Sequence, residues 1–163
     1  MGQGYEFKCK CGYSFRPSLG VGFLFPTQYQ KHRKSAQEGT LGKELKDFFS
    51  EHPDGAIDVE NVVARCEKCG RYTCVPNLSM YLPKTNEKKQ KGRWSTAIQA
   101  EGEEYVDPWE LHESYSLFAR YQHTCESCGG KMDVIQEDAL MKDGITCPEC
   151  GRSILCDNTI MWD

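Results

Sequence analysis

The sequence predicts a small α+β protein built from two β modules, the first interrupted by a helical insertion. Eight of its ten cysteines fall into four close pairs, and each pair is followed at once by glycine. A stretch with helical periodicity lies between the first and second pairs, whereas an alternating apolar stretch leads into the third. Only 39% of the residues are hydrophobic, so modules this small need a staple such as a metal ion.

The cysteine pairs predict two metal sites. A short Cys-x-x-Cys loop supplies two thiolates from one turn, and the following glycine tolerates the positive φ of such a knuckle. Two facing loops complete a tetrahedral site, so four loops predict two Zn²⁺ ions, with iron as the alternative metal. The first pair departs from the pattern because it is Cys-x-Cys. The eight predicted ligands are Cys9, Cys11, Cys66, Cys69, Cys125, Cys128, Cys147 and Cys150.

The pairing of the four knuckles follows from how ribbon modules close. Such modules usually close locally, which favours one site from the first two pairs, Cys9 to Cys69, and another from the last two, Cys125 to Cys150. The 18 residues between Cys128 and Cys147 suit local closure, whereas 54 residues separate Cys11 from Cys66. A cross-braced arrangement, first pair with third and second with fourth, is the alternative.

An internal repeat supports two copies of one module. After the second and the fourth pairs the chain runs Cys-Gly-Arg, then a cysteine, then Asn-x-x-Met-aromatic, allowing one-residue shifts. The extra cysteines, Cys74 and Cys156, occupy matching places in the two copies. We expect them to be small buried apolar residues rather than reactive thiols or substitute ligands.

Three segments follow from this organisation. Residues 1–83 form the first module with a helical insertion at about 27–52, residues 84–104 a basic and then acidic linker, and residues 105–163 the second module. In the insertion, Thr27-x-x-Gln30 predicts a capping box and a helix ending near Gly39. A second helix is predicted to bury Leu41, Leu45, Phe48 and Phe49 and to stop at His52-Pro53-Asp54-Gly55.

One more strand is expected in the second module. Alternate positions from Tyr115 to His123 are apolar or aromatic, which predicts a strand feeding the third cysteine pair. His123 stands two residues before Cys125, so it is a candidate to replace or support a ligand, against the simpler interpretation of a surface or supporting histidine.

Charge and targeting features limit the partners. The formal net charge is −4, and two divalent ions on eight thiolates would make it about −8, which disfavours binding to nucleic acid by bulk electrostatics. The acidic charge therefore favours a protein partner. The sequence shows neither a membrane-spanning stretch nor a secretory signal, so we expect a cytoplasmic protein. A basic stretch offers a possible partner-binding or phosphate-contacting surface, unless it is merely solvated: Lys84, Lys88, Lys89, Lys91, Arg93 and Trp94.

The knuckles resemble those of known metal proteins. Cys11-Gly12-Tyr13 and Cys147-Pro148-Glu149-Cys150-Gly151 are similar to the loops of zinc ribbons and rubredoxins, over about a quarter of the chain. This resemblance implies zinc-ribbon, rubredoxin-like modules and no particular activity. With the Gly-Val-Gly-Phe-Leu-Phe-Pro segment included, the chain also resembles a set of uncharacterised small bacterial proteins, which implies no function.

Three functions remain open at this point. A four-cysteine site is coordinatively closed, so the leading expectation is a binding, adaptor or regulatory protein with two structural zinc ions and no catalytic residues. Iron in the same sites would instead suit electron transfer. An enzyme with its active site in the helical insertion is the third possibility, although no catalytic constellation is recognisable there. The oligomeric state is left open.

Overall fold

A computed structural model describes residues 2–84 and 105–162. This part of the chain is a mixed α/β protein with four helices and several antiparallel sheets. The basic stretch from Lys88 to Trp94 lies outside the described residues. In chain order the elements are β1 (Gly2–Lys8), β2 (Ser14–Phe15), β3 (Ser18–Leu19), α1 (Phe25–Glu38), α2 (Lys43–Glu51), β4 (Ala56–Ile57), β5 (Asn61–Cys66), β6 (Tyr72–Pro76), β7 (Met80–Pro83), α3 (Pro108–Ser114), β8 (Tyr115–Ala119), β9 (His123–Thr124), β10 (Lys131–Ile135), α4 (Glu137–Asp143), β11 (Ile145–Thr146), β12 (Ser153–Ile154) and β13 (Asn158–Trp162).

The described residues divide into two compact units, each discontinuous along the chain. Unit 1 is formed by the described parts of Met1–Gly22, Glu60–Asn77 and Gln122–Asp163. Unit 2 is formed by those of Phe23–Val59 and Leu78–Tyr121. These units divide the chain at positions other than those of the consecutive modules expected over 1–83 and 105–163.

Unit 1 consists of three antiparallel sheets and α4. One sheet has the order β13-β1-β2, with β3 also paired to β1; the second has the order β6-β5-β10-β9; the third is the pair β11-β12. Two apolar clusters lie within this unit. The larger contains Tyr5, Phe7, Leu19, Val63, Tyr72, Leu140, Ile145, Cys147 and Ile154, and the smaller contains Ala64, Cys66, Cys125 and Met132.

Unit 2 contains the helical pair α1 and α2, the sheet β4-β7-β8, and α3. The predicted capping box at Thr27 is wrong: α1 begins at Phe25, and its N-cap residue, Leu24, makes no side-chain cap bond. Pro26 lies in the first turn, where its fixed φ suits a helix and its missing N–H costs nothing, and Phe25 is buried. Gly39 ends the helix with φ 85°, as predicted.

The second helix largely follows its predicted pattern. Leu45, Phe48 and Phe49 are buried on one face of α2, and His52 caps its C-terminus. Leu41 precedes the helix, so its assignment to α2 is wrong. The reason is Gly42, whose φ of 111° is not helical.

The strand predicted from Tyr115 to His123 is two strands. β8 ends at Ala119 in unit 2, and β9 begins at His123 in unit 1. Between them, the Tyr121 hydroxyl donates to the Leu41 carbonyl at 2.8 Å, and the Gln122 amide donates to the Met132 carbonyl at 3.1 Å. The alternating pattern therefore continues past the point where the chain leaves unit 2 and enters unit 1. Periodicity alone does not reveal this boundary.

Candidate metal centres

Each of the four cysteine pairs lies at the tip of an antiparallel hairpin: β1–β2, β5–β6, β9–β10 and β11–β12. The three Cys-x-x-Cys tips share one backbone hydrogen-bond pattern. The first cysteine N–H donates to the carbonyl five residues on, and the glycine N–H donates back to the first cysteine carbonyl. The bonds are Cys66 to Arg71, Cys125 to Gly130 and Cys147 to Arg152, with Gly70 to Cys66, Gly129 to Cys125 and Gly151 to Cys147, all between 2.8 and 3.0 Å.

The Cys-x-Cys tip is the same turn shortened by one residue. The Cys9 N–H donates to the Tyr13 carbonyl at 2.8 Å, and the Gly12 N–H donates to the Cys9 carbonyl at 3.0 Å. Both bonds span one residue fewer than at the other tips. The unusual spacing therefore still presents two thiols from one turn.

The glycine after each pair is needed for its backbone conformation. φ is 102° at Gly12, 70° at Gly70, 68° at Gly129 and 73° at Gly151. At Gly12, Gly129 and Gly151 an added Cβ would meet nothing within 4 Å, so space is not the constraint. This confirms the predicted positive φ, which costs an L-residue about 1–2 kcal/mol.

The structure groups the eight cysteines into two tetrads, both in unit 1, in a nested order. The outer tetrad is Cys9, Cys11, Cys147 and Cys150, and the inner tetrad is Cys66, Cys69, Cys125 and Cys128. The first pair thus meets the fourth, and the second meets the third. Both the sequential pairing and the cross-braced alternative are wrong.

Long-range strand pairing explains the nested order. β1 pairs antiparallel with β13, which brings the first and last segments of the chain side by side. β10 pairs antiparallel with β5, and this register places Met132 opposite Cys66. A metal site formed by the cysteines of 125–150 alone would need the tips of the β9–β10 and β11–β12 hairpins to face each other. Instead, β10 pairs with β5, so the β9–β10 tip lies beside the β5–β6 tip.

The sulfur positions fit a tetrahedral thiolate site. A zinc–sulfur bond of about 2.3 Å implies sulfur–sulfur edges of about 3.8 Å. In the outer tetrad Cys9 Sγ lies 3.4 Å from Cys150 Sγ, and Cys11 Sγ lies 3.5 Å from Cys147 Sγ. In the inner tetrad the shortest cross-hairpin distances are 3.4 Å and 3.8 Å. All ligand atoms of a tetrad lie within 4.8 Å of one another, so each donor set suits one ion.

Backbone N–H groups stabilise negative charge on the sulfurs. The N–H of Cys69 donates to Cys66 Sγ at 3.5 Å, and it is the main cause that lowers the pKa of Cys66 to about 6. The N–H of Cys11 likewise lowers the pKa of Cys9 to about 7. The Gly130 N–H lowers the pKa of Cys128, but the hydrogen bond to Cys66 and burial outweigh it and raise that pKa to about 11.

The pKa values of the cysteines within a tetrad are shifted in opposite directions. The pKa is lowered at Cys66 and Cys125 in the inner tetrad and at Cys9 in the outer, whereas hydrogen bonds from neighbouring thiols help to raise it at Cys128 and Cys150. Full ionisation of a tetrad is therefore opposed by the negative charge that its first thiolates carry. A divalent cation removes that repulsion, because it allows all four sulfurs to be thiolates at once. The chemistry of the donor set therefore fits a thiophilic metal ion.

The two tetrads differ in exposure. In the outer tetrad Cys147 is buried and Cys9 is half-buried, whereas Cys11 and Cys150 are exposed. The Glu149 carboxylate also lies 3.9 Å from Cys11 Sγ. In the inner tetrad Cys69 alone is exposed, and Cys66 and Cys125 are buried in the smaller apolar cluster.

Two residues around the inner tetrad escaped sequence analysis. Arg71 donates from Nη1 to Ser127 Oγ at 2.9 Å, which links the two hairpin tips. Gly130 lies against the sulfurs: a Cβ added there would be 3.0 Å from Cys66 Sγ and 3.3 Å from Cys128 Sγ. The doubled glycine after Cys128 was the only signal for this close approach.

The other cysteines and His123 lie outside both tetrads. Cys74 and Cys156 are half-buried against the larger apolar cluster, and their thiols donate to the carbonyls of Ser18 and Asn158 at 3.1 and 3.2 Å. His123 is buried, and its Nε2 lies 3.0 Å from the Asn77 carbonyl oxygen. Burial lowers its pKa.

Of the predicted basic surface, the structure describes Lys84. Its Nζ donates to the Glu113 carbonyl at 2.8 Å, at the C-terminal end of α3, and its N–H donates to the Ser114 carbonyl at 2.9 Å. This position is favourable for a cation because helix carbonyls accumulate partial negative charge there. It ties Lys84 to unit 2 and does not test the proposed contact with a partner.

Comparisons with protein-family models, with curated proteins and with solved structures found no match to the chain. Among the residues that the structure describes, no helix has the length and apolar character needed to cross a membrane.

Proposed function

We propose that this chain is a zinc protein in which two structural four-cysteine sites hold unit 1 in shape for binding a protein partner as an adaptor or regulatory module. One observation carries the proposal. Each tetrad presents four sulfurs within 4.8 Å of one another, which fills every position of a tetrahedral ion. A site filled by protein ligands leaves no position for water or substrate, which supports a structural role.

The placement of the tetrads supports the same role. The outer tetrad joins the first hairpin to the last, and the inner tetrad joins two hairpins that are 56 residues apart at Cys69 and Cys125. Both sites therefore close long loops within unit 1. Metal binding in such small units is folding energy, on the order of 10 kcal/mol for a structural zinc site.

A protein partner is supported by charge. The formal net charge is −4, and two loaded four-thiolate sites bring it to about −8, which disfavours binding to phosphate backbones by bulk electrostatics. Exposed apolar side chains, including Trp109 at 78% and Met161 at 66% exposure, are better suited to protein contacts. We propose the cytoplasm as the compartment, because free thiols are kept reduced there.

Metal content tests the proposal. Protein purified without added metal is expected to contain about two zinc ions per chain, and a chelator should release them and make eight thiols reactive. The variant Cys74→Ser is the matched control, since Cys74 lies outside both tetrads and its loss should leave the metal content unchanged. One ion per chain, or reaction without chelation of more thiols than those of Cys74 and Cys156, would overturn the two-site account.

Electron transfer with iron is the second candidate, and one observation favours it. Cys11 and Cys150 are exposed, so a redox ion in the outer tetrad would lie close to the surface where electrons are exchanged. Red protein with ferric-thiolate absorption and a reversible potential would establish this function in place of the first. Colourless protein with zinc would exclude it. The enzyme alternative stays a prediction.

A further inference from the structure

The exposed strand β13 stands out on unit 1. It pairs with β1 along one edge, and among the described residues no strand pairs with the other edge. Its residues from Asn158 to Met161 are all exposed, with Ile160 at 58% and Met161 at 66%. Consecutive exposure means that neither face of this strand is covered.

β13 also lacks the features that protect edge strands. Natural edges are blunted by charged side chains, proline, bulges or short length, because bare backbone N–H and C=O groups recruit another strand. The sequence Asn-Thr-Ile-Met-Trp contains no charge and no proline. By contrast, β2, β3, β9 and β12 in the same unit have two residues each, and β6 ends at Pro76.

The neighbouring strand, β1, has glycine opposite two residues of β13. The register places Gly4 opposite Ile160 and Gly2 opposite Trp162. Glycine offers no side chain for a cross-strand pair, so Ile160 has no apolar partner from β1. The result is an apolar strip with an open backbone edge.

The internal repeat allows the neighbours of β13 to be compared with those of the matching strand, β7. Met80-Tyr81 and Met161-Trp162 hold matching places in the two copies. In the first copy the strand β7 is paired on both edges, with Tyr81 opposite Ala56 on one side and Leu117 on the other. In the second copy β13 pairs with β1 and with no other strand of residues 2–84 and 105–162. The first copy thus shows this kind of strand with an antiparallel neighbour on each edge, one of them the strand Tyr115–Ala119.

We propose that β13 is a recognition edge, to which an extended apolar segment of a partner protein, with Lys or Arg at its ends, adds as an antiparallel strand. The inference rests on the proposed function, since it specifies the partner of the same metal-held unit. Main-chain hydrogen bonds would supply affinity, and Ile160 and Met161 would select apolar side chains. Asp157 and Asp163 flank the strand in sequence, and cationic ends on the partner complement them.

A second copy of the chain is a poorer occupant of this edge. Each copy carries a formal net charge of −4, so two copies brought edge to edge repel one another.

Selection from a random library of seven-residue peptides against the zinc-loaded full chain tests the proposal. We expect the enriched peptides to alternate β-branched or aromatic residues between Lys or Arg ends. Their affinity should fall about tenfold or more in Ile160→Lys, because the added cation repels the peptide and removes the apolar contact. Leu155→Lys is the matched control: Leu155 is 62% exposed but lies outside β13, so binding should persist.

Backbone amide shifts locate the bound peptide. We expect changes confined to β13 and β1. The recognition edge is overturned if no peptide is enriched, if enriched peptides bind Ile160→Lys as tightly as the wild type, or if the wild type dimerises and Ile160→Lys does not. The metal content of the same samples separates the two claims: peptides bound elsewhere on a two-zinc chain overturn the edge alone, whereas a chain without its ions fails the proposed function itself.

Discussion

Gly130 lies against the thiol of Cys66, so closely that a Cβ on Gly130 would be 3.0 Å from Cys66 Sγ. The same Cβ would be 2.9 Å from the Cβ of Lys68 in the facing hairpin tip. The inner tetrad can therefore close only because one of its two hairpins has no side chain at this position. A single glycine, itself no ligand, sets the approach of the two knuckles.

Replacing this glycine should weaken the inner site without affecting the outer one. Gly130→Ala is expected to push the hairpin tips apart and to lower the zinc affinity of the inner tetrad about tenfold or more, since supporting contacts around metal ligands carry effects of this size. The measurement is a zinc competition titration with a chromophoric chelator.

Gly129→Ala is the control for this experiment. Gly129 has φ 68° and nothing within 4 Å of an added Cβ, so its replacement should cost about 1–2 kcal/mol of backbone strain and leave the sulfurs in place. An inner site that keeps its wild-type affinity in Gly130→Ala would contradict the steric account.

The knuckles could be predicted from sequence because their causes are local. The spacing of Cys66 and Cys69 and the positive φ of Gly70 are properties of one turn, and the structure has both. The C-terminus of α1 at Gly39 was predictable for the same reason. Even the shortened turn at Cys9 has the same two backbone hydrogen bonds, each spanning one residue fewer.

The pairing of the knuckles could not be predicted, because it depends on contacts far apart in sequence. The register that sets Gly2 opposite Trp162 spans almost the whole chain, and no local pattern in β1 identifies β13 as its neighbour. The division of Tyr115–His123 into β8 and β9 has a similar cause, since Tyr121 and Gln122 bond within different units. Local closure was a reasonable rule that the long-range strand pairing overrode.

Acidification should release the metal ions in a defined order. Protons compete with zinc for each thiolate, so affinity falls as pH falls. A thiol with a lowered pKa stays ionised to lower pH, and the lowest values are about 6 for Cys66 in the inner tetrad and about 7 for Cys9 in the outer. The outer tetrad should therefore lose its ion at higher pH than the inner.

The order of release can be followed by zinc release between pH 8 and pH 4 in Cys11→Ser and Cys69→Ser, each of which retains one intact tetrad. The prediction is a higher release midpoint for the outer tetrad, retained in Cys69→Ser. Equal midpoints, or the opposite order, would show that proton competition at Cys9 and Cys66 does not control release.

Loss of a ligand should cost far more stability than loss of a neighbouring thiol. Cys147→Ser removes a buried ligand and the folding energy of the outer site, so unit 1 should unfold at a much lower urea concentration, although the inner tetrad keeps its ion. Cys156→Ser changes a half-buried thiol outside the tetrads and should cost about 1 kcal/mol. Urea unfolding of zinc-loaded protein provides the comparison. Full cooperative stability in Cys147→Ser would mean that the outer site is not structural.

The nested arrangement of the tetrads is the central claim, and the zinc content of two double variants tests it most directly. Cys11→Ser with Cys150→Ser alters only the outer tetrad, whereas Cys11→Ser with Cys69→Ser alters both, and all three cysteines are exposed. We predict about one zinc per chain for the first variant and almost none for the second, because a four-thiolate site needs all its ligands. The reverse result, almost none for the first and about one for the second, would contradict the nested tetrads and restore sequential pairing.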